Sequence, residues 1–226
     1  MTPAISTRVA AEFLGTLVLV LGVVGSGIMA NNLSADRGIA LLGNTLSTIL
    51  VLAVLIYLFL PISGAHFNPV VSLVMVWEKA LSLSHAALFI PAQISGGIAG
   101  AMLANLLFDL PLVELSTTDR VSAGTLMGEV IATAGLIMVI VVAVRRNQAA
   151  LLVWLVPAWI GAAYFFTSST SFANPAVTVG RMFSDTFAGI SPASAPGFVV
   201  SQIVGGGVGL ILALVFSSRK MPIKPV

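Results

Sequence analysis

SGAHFNPVV at residues 63–71 and SFANPAVTV at residues 171–179 each carry an Asn-Pro dipeptide after a long apolar segment. The two asparagines, Asn68 and Asn174, lie 106 positions apart (174 − 68), close to half of the 226-residue chain. Asn is a strong helix N-cap, and Pro suits the first helical position because its missing N–H would have no partner there. Each dipeptide therefore predicts a helix start at membrane depth, where such an end must face another helix end or a water-filled cavity.

The composition is that of an integral membrane protein. Hydrophobic residues make up 58% of the chain and charged residues only 8%, whereas a soluble domain has about 25% charged residues. A membrane span needs about 20 apolar residues. Six segments meet this requirement: 9–30, 38–60, 85–107, 122–144, 150–168 and 196–217.

The sequence does not carry the motifs of an enzyme. It has no cysteine, which excludes disulfides, thiolate metal sites and cysteine nucleophiles. It also has no paired catalytic carboxylates, no metal-ligand spacing and no nucleophile beside a base. We therefore expect no catalytic residue, no cofactor, no metal and no nucleic-acid partner.

The chain contains an internal repeat. Residues 89–100 are similar to residues 198–209, and Glu12 in the first span corresponds to Glu129 in the fourth. The Gly-rich parts of the two repeated stretches predict close packing between helices. Because each half holds three spans, an odd number, the halves must be inverted relative to each other in the membrane.

The segments after the two dipeptides are too short to span a bilayer. They cover about 69–78 and 175–184, or about 15 Å each at 1.5 Å per residue. That is half of a hydrocarbon core of roughly 30 Å. Two such half-helices can meet with their N-termini at the midplane of the membrane.

The distribution of Lys and Arg predicts the orientation. With both termini in the cytoplasm, three basic residues lie outside: Arg37, Arg120 and Arg181. Seven lie inside: Arg8, Lys79, Arg145, Arg146, Arg219, Lys220 and Lys224. The excess inside agrees with the positive-inside rule.

Together these features resemble the aquaporin, or major intrinsic protein, family, and the resemblance covers nearly the whole chain. It implies an all-α membrane protein with an inverted internal repeat, in which a right-handed bundle of six transmembrane helices holds two re-entrant half-helices. It also implies a homotetramer in a lipid bilayer, the cell (inner) membrane. Residues 174–190 resemble the bacterial branch associated with arsenic-resistance operons.

The sequence departs from the family pattern at two positions. The first motif ends in Val70 rather than Ala, a change we expect to be tolerated. An Arg normally follows the second motif, and here that position is Val177. By the resemblance, this position forms the narrow outer selectivity filter with three others: Thr48, Ala162 and Ser171. Such a filter would be wide, uncharged and partly apolar.

The Asn-Pro motifs supply the other candidate pore residues. Asn68 and Asn174 are expected to cap the half-helices with their side-chain oxygens and to offer N–H groups to the solute. The positive ends of the two half-helix dipoles should disfavour cations there. The predicted pore midplane comprises Asn68, Pro69, Val70, Asn174, Pro175 and Ala176.

Each of four ionisable residues near the pore has more than one interpretation. Glu12 and Glu129 are expected to support the re-entrant loops by accepting backbone N–H bonds, with a proton relay as the alternative. His66 is expected at the pore mouth, with a pH gate as the alternative. Arg181 lies one helical turn beyond Val177 and is expected at the outer pore mouth. Its alternatives are an interfacial position or an ion pair with Asp185.

The function that follows is a passive channel, formed by one domain over residues 1–226 with halves at approximately 1–110 and 120–220. The expected solutes are small and neutral: glycerol-like polyols, arsenite-type metalloid hydroxides and water. A secondary transporter with inverted repeats, a water-selective aquaporin and a junction protein with a closed pore remain alternatives.

Overall fold

Residues 3–217 are described in a computed structural model of the chain. They form eight α-helices and one short 3-10 turn, Ala149–Leu151. The six long helices are α1 (Ile5–Leu33), α2 (Arg37–Ser63), α4 (Leu83–Leu107), α5 (Ala123–Arg145), α6 (Leu152–Phe166) and α8 (Ala195–Phe216). The two short ones are α3 (Pro69–Trp77) and α7 (Pro175–Arg181).

The six predicted spans correspond to the six long helices, and six helical segments are long and apolar enough to cross a membrane. The fifth of these segments reaches that length because the 3-10 turn continues into α6, over Ala149–Phe166. The main boundary difference is at α1, which begins at Ile5 rather than at residue 9. The second half-helix was predicted to reach residue 184 but ends at Arg181. It ends there because the chain folds back, and the Ile190 backbone N–H donates to the Arg181 carbonyl at 3.4 Å.

The two faces of the bundle differ in what they carry. On the face where α1 begins and α8 ends, here called the terminal face, Arg145 and Glu78 form a buried bidentate ion pair with N–O distances of 2.7 and 2.8 Å. This pair joins the end of α3 to the end of α5. The opposite face, here called the loop face, carries the long connections 108–122 and 182–194. Three of the basic residues counted for orientation, Arg219, Lys220 and Lys224, lie outside the described residues.

Glycines allow the long helices to pack at backbone distance. A Cβ at Gly100 of α4 would overlap the Leu17 carbonyl oxygen of α1, and a Cβ at Gly209 of α8 would overlap the Ala134 carbonyl oxygen of α5. The two contacts occupy equivalent places in the two halves of the chain. The repeated Gly-rich stretches therefore act as helix-packing surfaces.

Val70, the unusual third residue of the first motif, packs against a glycine. A Cβ at Gly206 of α8 would overlap Cγ1 of Val70. At the corresponding place in the other half, a Cβ at Gly97 of α4 would overlap the backbone carbonyl oxygen of Ala176. The extra methyl groups of Val70 are thus accommodated because position 206 has no side chain.

We expect Gly206→Ala to destabilise the protein by about 1–3 kcal/mol, because the β-branched Val70 cannot move aside easily. Val70→Ala in the same chain should restore most of this loss. The measurement is the thermal unfolding midpoint of detergent-purified protein. Gly207→Ala is the matched control, since a Cβ there meets no atom within 4 Å. A double variant no more stable than Gly206→Ala alone would contradict the proposed contact.

Candidate functional site

A cavity of about 530 Å3 runs between the helices and past the two half-helix starts. Its lining includes Arg8 and His66 toward the terminal face, Asn68 and Asn174 in the middle, and Arg181 toward the loop face. None of the described residues that line it is acidic. The cavity therefore presents cationic and neutral groups to whatever enters it.

Asn68 and Asn174 cap the half-helices. The Asn68 Oδ1 accepts from the Val70 backbone N–H at 2.9 Å, and the Asn174 Oδ1 accepts from the N–H groups of Ala176 at 2.9 Å and Val177 at 3.3 Å. Pro69 and Pro175 occupy the first helical positions. The two facing helix starts bring together the six residues of the predicted midplane: Asn68, Pro69, Val70, Asn174, Pro175 and Ala176. Of these, Asn68 and Asn174 line the cavity, and the other four lie behind its wall.

Each asparagine also links its loop to the opposite one. The Asn68 Nδ2 donates to the Ala173 carbonyl at 2.8 Å, and the Asn174 Nδ2 donates to the Phe67 carbonyl at 2.7 Å. The sequence motifs gave no signal of this reciprocal pair. Because a side-chain amide has two N–H groups, each asparagine retains one further donor beside the cavity.

The loop backbone before each motif is held in an unusual conformation. Ala65, Phe67, Ser171 and Ala173 have φ values between 49 and 51°, in the left-handed region that is costly for residues other than Gly. This conformation turns successive peptide groups, so that some carbonyls face the opposite loop. Such a backbone persists only where the surrounding structure stabilises it.

Glu12 accepts hydrogen bonds from one of these loops. Its carboxylate is fully buried and receives the backbone N–H groups of His66 at 3.0 Å and Phe67 at 2.7 Å. The side chains of Ser63 and Gln93 donate to the same carboxylate at 2.6 and 2.7 Å. All of these contacts are to loop or neighbouring helix groups, and Glu12 does not line the cavity.

Glu129 repeats this arrangement in the other half. It is fully buried and accepts from the backbone N–H groups of Phe172 at 2.9 Å and Ala173 at 2.8 Å. Gln202 donates to it at 2.6 Å. Glu129 does not line the cavity either. This geometry matches a loop support rather than a continuous proton relay.

One of the four predicted filter residues is wrong. Thr48, Ser171 and Val177 line the cavity, but Ala162 does not and is exposed on the outer surface. The lining residues of α6 are spaced four apart: Leu152, Val156, Ile160 and Tyr164. Ala162 lies two positions from this stripe, about 200° around the helix. The four-residue apolar spacing was the signal that could have identified Tyr164.

Two aromatic side chains of the cavity wall, Tyr164 and Phe172, were not predicted from the sequence. Tyr164 is 4% exposed, and its hydroxyl lies 3.5 Å from the Thr48 hydroxyl. Phe172 also lines the cavity. The cavity wall therefore carries these two aromatic side chains in addition to the small ones predicted for the filter.

Arg181 lies in the same cavity, one turn beyond Val177. Its side chain is 3% exposed, and its guanidinium carbon is 3.4 Å from the Phe172 ring centroid. Its Nε donates to the Ala188 carbonyl. Both alternatives for Arg181 are wrong. Its side chain is buried rather than exposed at the membrane interface, and the carboxylate of Asp185 accepts from Thr117 instead of pairing with Arg181.

Asp185 and Asp119 hold the connections of the loop face instead. Asp185 accepts from the Thr117 backbone N–H at 2.9 Å, and this bond lowers the pKa of its carboxyl. Asp119 accepts from the Ser194 hydroxyl, which likewise lowers the pKa of that carboxyl. Both contacts fasten segment 108–122 to segment 182–194.

At the terminal end, His66 and Arg8 both line the cavity. The His66 Nδ1 is 3.0 Å from the Ser72 hydroxyl. The Arg8 guanidinium lies over the Phe89 ring at 5.5 Å, and its Nη1 is 3.4 Å from the His85 Nδ1. Arg8 entered the sequence prediction only through the charge distribution and was not predicted as a lining residue.

The sequence model of the family described as Major intrinsic protein matches residues 2–172. The chain belongs to this family. The chain is also 46% identical over 208 residues to aquaglyceroporin AqpS of Rhizobium meliloti (strain 1021). This match covers 92% of this chain and 89% of the relative. A shorter match, 38% identical over 104 residues, joins it to aquaporin-4 of Mus musculus and covers 31% of that protein.

A solved structure shares the fold. The X-ray structure of the aquaglyceroporin from Plasmodium falciparum is similar with a TM-score of 0.69, over 97% of this chain and 98% of that one, at 21% identity. The predicted family and the predicted all-α fold are therefore confirmed. As a major intrinsic protein, the chain is a multi-pass membrane protein and a passive channel for small neutral solutes, not an enzyme.

Proposed function

We propose that this channel conducts solutes larger than water, namely glycerol-like polyols and uncharged metalloid hydroxides such as arsenite, with water as a further solute. The observation that carries the proposal is Val177. It lines the cavity directly after the second motif, is 5% exposed and brings no charge to that turn of α7. The 46% identical relative is named an aquaglyceroporin, which supports the same solute class.

The chemistry of the cavity wall suits a solute with a carbon face and hydroxyl groups. The parts of the lining from α2 and α6 are mostly apolar: Leu52, Ile56, Leu152, Val156 and Ile160. The loops contribute the two asparagine amides, whose second N–H groups are available as donors. A polyol can place its CH groups on the apolar wall while its oxygens accept hydrogen bonds from the loops.

We assign the roles of the site residues accordingly. Thr48, Ser171 and Val177 form the filter together with Tyr164. His66 and Arg181 lie at the two pore mouths, and the cavity between them is centred on the Asn pair. Glu12 and Glu129 support the loops from behind.

We also propose the finer features of assembly and location. The chain forms one channel domain and assembles as a homotetramer in the bacterial inner membrane, with both termini in the cytoplasm. The orientation rests on the charge distribution. Within the described residues, the terminal face carries Arg8, Lys79, Arg145 and Arg146, whereas the loop face carries Arg37, Arg120 and Arg181.

The test measures glycerol and arsenite influx into proteoliposomes made with the purified protein. A channel should give flux proportional to the solute gradient up to high concentration, and ionophores that collapse proton or sodium gradients should not change it. Protein-free liposomes are the control. Saturation together with a requirement for an ion gradient would instead identify a secondary transporter.

A further inference from the structure

Arg8 and Arg181 lie at opposite ends of the pore. Arg8 lies in the first turn of α1 and is 6% exposed, and Arg181 ends α7 and is 3% exposed. Both line the same cavity, on opposite sides of Asn68 and Asn174. A solute that crosses the channel must therefore pass a guanidinium group before and after the midplane.

Neither guanidinium is neutralised by direct contact with a carboxylate. Arg8 rests over Phe89 and approaches His85, and Arg181 rests over Phe172. Within residues 3–217, the side chains form one ion pair, between Arg145 and Glu78, and neither Arg8 nor Arg181 is part of it.

The buried glutamates do not cancel these charges at the pore surface. Glu12 is one helical turn from Arg8, but its carboxylate receives two backbone N–H groups and two side-chain donors. Glu129 is similarly engaged. Since neither carboxylate lines the cavity, a cation in the pore meets the arginines first.

Arg120 adds a positive charge on the loop face but not in the pore. Its guanidinium lies 5.5 Å from the Phe172 ring centroid, and it donates to the carbonyls of Gly189 at 2.6 Å and Phe187 at 2.9 Å. It does not line the cavity.

We propose that Arg8 and Arg181 are two cation barriers in series, and that Arg8 is the specificity-determining residue of the terminal mouth. The proposal rests on the proposed function, a pore that conducts neutral solutes. Val177 leaves the position after the second motif without a charge, so the full charges that exclude cations, beyond the partial charges of the half-helix ends, must come from elsewhere along the path. A unit charge acts strongly in a poorly solvated pore, whereas each half-helix end at the midplane contributes only about half a charge. The two guanidinium groups are therefore the main barriers, and either one left in place still limits the cation flux.

The test compares potassium leak in proteoliposomes that contain Arg8→Met, Arg181→Met or both substitutions. Met retains much of the apolar stem that packs on Phe89 or Phe172. Each single variant should leak less than about threefold more than wild type, because one barrier remains. The double variant should leak at least about tenfold more, the effect expected for removal of a unit charge about 10 Å away at an effective dielectric constant of about 20.

The controls separate charge from folding. Arg146→Met removes an exposed positive charge from the same face as Arg8, outside the cavity lining, and should leave the leak unchanged. Arg8→Lys combined with Arg181→Met keeps a cation at the terminal mouth and should restore the low leak. Monodisperse elution of each variant in detergent checks that it folds.

Two results would overturn the proposal. One is a double variant as tight as wild type while wild type carries glycerol. The other is Arg181→Met alone leaking as much as the double variant, which would leave Arg8 without a barrier role. If wild type carried no neutral solute, the proposed function itself would fail, and this inference with it.

Discussion

Val177→Arg is expected to lower glycerol permeability at least about tenfold while water permeability falls less than about threefold. Val177 lines the same cavity as Thr48 and Tyr164, and its backbone N–H donates to the Asn174 side chain at 3.3 Å. An arginine side chain on this turn would extend into the pore and narrow it with a charged group. A constriction of this kind excludes solutes mainly by diameter and by the hydrogen bonds it offers. The measurement is stopped-flow light scattering of proteoliposomes under glycerol and sucrose gradients.

The control for this variant is Val177→Ala, which removes two methyl groups and adds no charge. It should keep glycerol permeability near or above that of wild type. Unchanged glycerol flux in Val177→Arg would contradict the assignment of Val177 to the filter. Equal loss of water and glycerol flux would indicate a blocked or misfolded pore, and the variant's elution profile would distinguish the two.

Glu129→Leu is expected to destabilise the protein by about 3 kcal/mol or more. The substitution leaves the backbone N–H groups of Phe172 and Ala173 and the Gln202 amide without their acceptor in a fully buried place. Each unpaired buried donor costs about 1–3 kcal/mol, and the left-handed backbone of Ala173 loses its support. The unfolding midpoint should fall by about 6–12 °C, and solute flux should fall with it. Intrinsic tryptophan fluorescence on heating gives the midpoint.

Glu129→Gln separates loop support from the proton-relay interpretation. Gln keeps one carbonyl oxygen as an acceptor, so a supporting role predicts a smaller loss of stability and substantial remaining flux. A proton relay predicts the opposite pattern, in which Glu129→Gln stops transport without changing the unfolding midpoint. That pattern would overturn the structural role of Glu129.

The fold could be predicted because its main determinants are local in the sequence. Each apolar segment is long enough to require a helix in a bilayer, and each Asn-Pro dipeptide specifies a helix start by its own chemistry. The match between residues 89–100 and 198–209, together with the odd number of spans in each half, then predicted the inverted arrangement. The end of α7 was less predictable because a tertiary contact, the return of segment 182–194 onto Arg181, determines it.

The pore lining was harder to predict because it depends on how each helix is rotated. Counting from the motifs selected Ala162, whereas packing turns the face with Tyr164 inward. The position of Arg8 in the pore also depends on helix rotation and could not be inferred. A basic residue at the start of a span is usually interpreted as an interfacial anchor. The link from Asn68 to Ala173 joins residues 105 positions apart, and no local pattern indicates such a contact.

The most direct test of the central claim, a passive pore wide enough for solutes larger than water, is the volume response of proteoliposomes to an inward glycerol gradient. The account predicts fast shrinkage as water leaves, followed by reswelling at a rate at least about tenfold above that of protein-free liposomes, because glycerol enters through the channel. Shrinkage without accelerated reswelling would contradict a pore wide enough for glycerol. Equal reswelling rates for Val177→Arg and wild type would contradict the assignment of Val177 to the filter.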